Sequence, residues 1–74
     1  MTPAETVIFV FGGVRPAARA LGIEPSTVSK WKRRRDGAHG HIPASMQQHV
    51  LITAAGLGLH LTSHDIIFGR ARGI

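Results

Sequence analysis

Residues 14–33 read VRPAARALGIEPSTVSKWKR, and the fold of the chain turns on this stretch. An Ala-rich segment ends at Leu21-Gly22, a second segment opens at Pro25, and basic residues close the run. Gly22 suits the left-handed conformation that ends a helix. Pro25 suits the first turn of the next one, because its missing N–H would have had no partner there. Ala18 is small where two helices cross closely, and Ile23 is expected to turn inward. Val28 and Trp31 are three apart, so on a helix both point back at the first segment. Ser26, Ser29, Lys30 and Arg33 then fall on the opposite, outward face. A helix bracing a second helix with a polar and basic free face is the arrangement of a helix-turn-helix, which puts side chains into a DNA groove.

The rest of the chain extends this pattern. Thr2-Pro3-Ala4-Glu5 reads as a helix start, with Thr2 as cap, Pro3 in the first turn and Glu5 completing a capping box. Ala4, Val7, Ile8 and Phe11 make an apolar stripe at helical spacing, with Phe9 and Val10 off it. Gly12-Gly13 stops this helix. A second helix is expected over about 14–21 and a third over about 25–34. Residues 35–41 contain the turn signals Asp36-Gly37 and His39-Gly40. A fourth helix is expected over about 43–55, ended by Gly56, with Met46, Val50, Thr53 and Leu57 as its stripe. The stretch Gly58-Leu59-His60-Leu61 reads as a small extended segment. Thr62-Ser63-His64-Asp65 repeats the capping-box logic and opens a last short helix through Phe68. The expected fold is all-α, a bundle of four to five short helices, with one domain over 1–68 and a basic tail over 69–74.

Composition agrees. The 74 residues suit one small core. Nine Lys and Arg against four Asp and Glu give a net charge of +5, and five of the nine fall within residues 30–35. A clustered basic balance points to a polyanion, nucleic acid before anionic membrane. With no cysteine, disulfides and thiolate metal ligands are excluded. The apolar run at residues 7–11 is too short for a signal-peptide core or a membrane span. The expectation is a soluble cytoplasmic protein, nucleoid-associated when bound to DNA.

The run at 14–33 resembles the helix-turn-helix of the Cro and lambda-repressor superfamily, and the small YdaS-like and Cro-like regulators within it. The resemblance covers about residues 4–68. It rests on Ala18, Gly22, Ile23, Val28 and Trp31 at the small, turn and core positions. Two later pieces add to it: Ile42-Pro43-Ala44 opening a fourth helix, and Ala55-Gly56 followed by Leu61-Thr62-Ser63-His64-Asp65-Ile66. The loop after the third helix is longer than is usual in YdaS-like proteins. The resemblance implies a lambda-repressor-like fold and a sequence-specific double-stranded DNA-binding regulator. Such a protein represses by promoter occlusion, as a homodimer on an inverted-repeat operator.

The residues assigned to DNA follow from their faces. Ser26, Ser29, Lys30 and Arg33 are placed at base edges or nearby phosphates, and Thr27 on the flank near a phosphate. Lys32, Arg34 and Arg35 are placed on the backbone, where contacts orient without reading sequence. Arg15 and Arg19 on the preceding helix are placed at the opposite edge of the groove, with ordinary solvation as their competing reading. Glu24 points away, accepts from a cytosine amine, or caps the third helix, and capping is preferred. For Trp31, a core role is preferred over a stacking platform.

The five histidines lack the spacing of a zinc site, so no metal is expected. No cofactor is implied, and no nucleophile elbow, phosphate loop or acid pair supports catalysis. The competing function is an interaction protein, an antitoxin or phage-type adaptor whose main task is binding a partner protein. Dimerisation is expected through the C-terminal half. There, Val50, Leu51, Ile52 and Ala54 offer more apolar surface than one small core buries. Leu59 and Leu61 alternate like an edge strand, and Leu57 and Phe68 close the same surface.

Overall fold

In a computed structural model of the chain, residues 2–32 and 41–69 are described, and they form five helices. These are α1 (Pro3–Phe11), α2 (Val14–Leu21), α3 (Pro25–Lys32), α4 (Ala44–Gly56) and α5 (Ser63–Phe68). No strand occurs among the described residues, so Leu59, His60 and Leu61 are irregular backbone rather than the extended edge expected of them. The fold is a small all-α bundle.

Both capping boxes form. Thr2 Oγ1 accepts from the Glu5 amide at 3.2 Å, and the Glu5 carboxylate accepts from the Thr2 amide at 2.9 Å. Thr62 and Asp65 repeat the exchange at 3.2 and 3.0 Å at the head of α5. Each pair satisfies two amides that an opening helix turn leaves without intrahelical partners. α4 opens differently. Pro43 occupies its N-cap with no side-chain bond to the first turn.

The C-terminal end of α4 corrects the sequence expectation. Gly56 lies inside the helix, and Gly58 ends it with φ of 74°. The Leu59 amide reaches back to the Ala54 carbonyl at 2.9 Å, and the Gly58 amide to Ala55 at 3.1 Å. This 6→1 and 5→2 pairing needs the left-handed residue at Gly58, two positions later than expected.

The core draws on every helix. Ala4 and Val7 of α1, Ala17, Ala18 and Leu21 of α2, Val28 and Trp31 of α3, Val50 of α4 and Ile66 of α5 are all buried, together with Ile42 ahead of α4. The pairing of Ala17 with Ala18 lets neighbouring backbones approach α2 closely. Thr6 is a buried polar residue within this apolar set, and its hydroxyl donates to the Thr2 carbonyl at 2.8 Å. That bond offsets the cost of burying the hydroxyl.

The inward stripe of α4 also differs from the expected one. Val50 and Ala54 are fully buried, whereas Leu57 is exposed. Steps of four residues, from Met46 through Val50 to Ala54, face the bundle. Val50 and Ala54 therefore belong to the core and are not available to an interface. Phe9, Ile52, Leu57, Ile67 and Phe68 remain exposed.

A candidate nucleic-acid interface on α2 and α3

The α2–turn–α3 unit is built from its turn outward. α2 ends at Gly22, whose φ is 71°. The Ile23 amide donates to the Ala18 carbonyl at 3.0 Å and the Gly22 amide to Arg19 at 3.4 Å. Ile23 packs half-buried against the core. The Glu24 carbonyl then accepts from the Thr27 and Val28 amides at 3.0 and 3.4 Å, opening α3. The change of direction thus takes three residues, Gly22, Ile23 and Glu24.

Glu24 itself is exposed. Among the described residues its carboxylate makes no bond to the first turn of α3, so the side-chain capping expected of Glu24 does not form.

Val28 is completely buried and Trp31 is 3% exposed, which fixes α3 against α1 and α2. Trp31 is therefore a core residue and is shielded from stacking on a base. The opposite side of α3 carries exposed Ser26 and Lys30, with Ser29 half-buried on its shoulder. Thr27 is half-buried on one flank and Lys32 exposed on the other. Ser26 and Lys30 are four apart, so they stand one above the other about 6 Å along the axis. An α-helix, about 10–12 Å across with its side chains, fits a major groove about 12 Å wide. Arg33, Arg34 and Arg35 lie outside the described residues.

Arg15 and Arg19 are exposed on α2, one turn apart. With Ala18, Ile23 and Pro25 they line a shallow cleft of about 230 Å³ where α2 meets the start of α3. Among the described residues no carboxylate holds Arg15, Arg19, Lys30 or Lys32. These cations are accordingly available to an external anion. A guanidinium there presents a fork that matches two phosphate or guanine acceptors.

One contact had no signal in the sequence. His49 Nε2 lies 2.8 Å from the Leu21 carbonyl, at the C-terminal end of α2. A carbonyl only accepts, so Nε2 carries the proton in this bond. It ties α4 to the α2–turn–α3 unit across 28 positions of sequence. The other described histidines do not converge. His64 packs against Phe68 with ring centres 4.8 Å apart and ring planes tilted by 42°, and among the described residues no three potential metal ligands come together.

No family model, curated protein or solved structure matches this chain.

Proposed function

We propose that this protein is a sequence-specific double-stranded DNA-binding transcriptional regulator that acts by occluding a promoter. One observation carries the reading. The outward face of α3 is polar and cationic, while its inner face is locked by fully buried Val28 and by Trp31. A helix held this way presents side chains at fixed positions, as reading base edges requires.

In this reading Ser26, Ser29, Lys30 and Arg33 contact base edges or nearby phosphates. Thr27, Lys32, Arg34 and Arg35 contact phosphates, and Arg15 and Arg19 hold the backbone at the opposite rim. The protein then works in the cytoplasm, on the nucleoid. It needs no cofactor and performs no catalysis.

The test is selection of bound duplexes from a random library, followed by titration of the enriched site against scrambled competitor. A converged motif with a clear preference over the scramble is the expected result. Enrichment of no motif overturns the proposal. The exposed Phe9, Ile52, Leu57, Ile67 and Phe68 favour a second reading, an antitoxin or adaptor that binds another protein. Loss of sequence preference in the same titration favours that reading.

A further inference from the structure

The cleft where α2 meets the start of α3 joins two cations to an apolar floor. Arg15 and Arg19 stand four apart on α2, so they rise from one face with Cβ atoms about 5–6 Å apart. Between them and the head of α3 lie Ala18, Ile23 and Pro25, and the five residues line about 230 Å³. Ala18 is buried, Ile23 is half-buried, and neither carries a polar side-chain atom. Pro25 has no polar side chain and no backbone N–H. The rim is therefore charged and the floor is not.

The floor is held in place by the fold itself. The Ile23 amide donates to the Ala18 carbonyl at 3.0 Å, which joins two floor residues across the turn. The ring of Pro25 restricts its own backbone. Val28 and Trp31 fix the helix that Pro25 opens. A ligand settling here has little of the floor left to order.

We propose that this cleft docks an acidic peptide segment of a partner protein. The segment lays an apolar side chain on Ala18, Ile23 and Pro25 and sets carboxylates against Arg15 and Arg19. Three features select this occupant. First, the charges are complementary. The chain carries a net charge of +5, and among the described residues no carboxylate holds either arginine. Glu24 is exposed and does not line the cleft. An acidic segment is drawn to such a surface, and a guanidinium fork fits the two oxygens of a carboxylate. Second, a phosphate backbone brings charge but no apolar side chain for the floor, whereas a peptide brings both. Third, the cleft is smaller than the roughly 300–1,000 Å³ of pockets that enclose a whole small molecule. It suits one side chain of a longer chain.

The same arginines are placed at the rim of the DNA groove in the proposed function. A bound acidic segment then takes Arg15 and Arg19 from the phosphates, so segment and operator exclude one another. That consequence rests on the DNA-binding reading. Docking does not, because it is measured with no DNA present. The surface is also distinct from the exposed Phe9, Ile52, Leu57, Ile67 and Phe68, none of which lines the cleft.

The probe is a short synthetic peptide, blocked at both ends, with a central Leu between pairs of Asp. Titrated into isotope-labelled protein at low salt, it should shift the amide signals of Arg15, Ala18, Arg19 and Ile23 most. Arg15→Gln and Arg19→Gln should each weaken binding by about fivefold, the upper range for an exposed ion pair. Lys30→Gln, on the outward face of α3, should weaken it by about twofold or less, as a distant and screened charge does. Both arginines are exposed, so their variants should melt near the wild-type temperature. Exchanging the peptide's Leu for Ser should cost about fivefold or more, because the floor then has nothing apolar to cover it. A peptide that does not bind overturns the proposal. So does one that binds equally well with Ser, or one that depends on Lys30 as much as on Arg15 and Arg19. Inorganic phosphate or phosphatidylserine vesicles shifting these amides while the peptide leaves them unmoved overturns it as well. Where a bound duplex has been selected, the peptide should displace it. A duplex retained with peptide in the cleft upholds docking and counts only against the placing of Arg15 and Arg19 on DNA.

Discussion

Replacing His49 tests how α4 is joined to α2. Its Nε2–H is placed to donate to the Leu21 carbonyl at 2.8 Å, near the centre of the normal range for such bonds. Leu21 is the last residue of α2, where carbonyls have no partner within their own helix and carry the negative end of the helix dipole. In His49→Ala the carbonyl loses this donor. The bond is only part-buried, so water replaces the lost donor. The cost is then that of an ordinary hydrogen bond, about 0.5–1.5 kcal/mol, rather than the larger penalty of a sealed and unpaired group. His49 is itself exposed, so little packing is lost with the ring.

For a domain of this size 1 kcal/mol corresponds to a fall of about 4–8 °C in Tm. Urea titration should show a lower midpoint with an unchanged slope, because the surface exposed on unfolding is the same. His49→Gln keeps an N–H donor and should recover part of the loss, whereas His49→Leu should not. The nitrogen shifts of the wild-type ring should also report the proton on Nε2. An Ala variant that melts with the wild type, or a ring protonated only at Nδ1, would refute the claim that this bond holds α2 to α4.

Other outcomes follow from the proposed function. Lys30→Ala and Arg33→Ala should each cost about 1–3 kcal/mol at one base of the operator and relax the preference there; single-base variants of the site, titrated in turn, check this. If Lys32, Arg34, Arg35 and the same residues of a second copy neutralise about six phosphates, the log–log dependence of affinity on salt should have a slope of about −5. A flat response counts against backbone contacts. Trp31→Ala removes a side chain only 3% exposed and should destabilise the domain by about 3–5 kcal/mol, read by thermal melting. An unchanged melt with lost DNA binding would mean that Trp31 is a surface contact.

The parts of the fold legible in the sequence are those whose physics is local. Thr2 with Glu5 and Thr62 with Asp65 mark helix starts because each exchange spans three residues. The buried side of α3 was legible for the same reason, since Val28 and Trp31 share a face on any helix. The outward face followed by elimination, which identifies Ser26 and Lys30 but leaves the half-buried shoulder of Ser29 to be seen in the structure. The His49–Leu21 bond was not legible. It depends on where two helices cross, and no spacing rule within either helix encodes that.

The C-terminal half shows how tertiary packing settles what periodicity leaves open. Steps of three and four both lie near the helical repeat. Val50 therefore fits a stripe ending in Thr53 and Leu57 as well as one running on to Ala54. Packing selects the second, with Ala54 fully buried and Leu57 exposed. The helix end is settled in a related way. Gly56 and Gly58 are both competent to stop α4, but stopping also requires that the next residue send its amide back five positions. Leu59 does so, bonding the Ala54 carbonyl while its side chain stays half-buried. Had Gly56 taken the left-handed position, Leu57 would have had to supply that amide, reaching back to Ile52. Instead the Leu57 amide bonds Thr53 and Ala54 in helical fashion. The extra turn keeps Gly56 helical and extends α4 beyond Ala54, whose side chain is sealed in the bundle. Ile52, on another side of the same helix, is left facing outward.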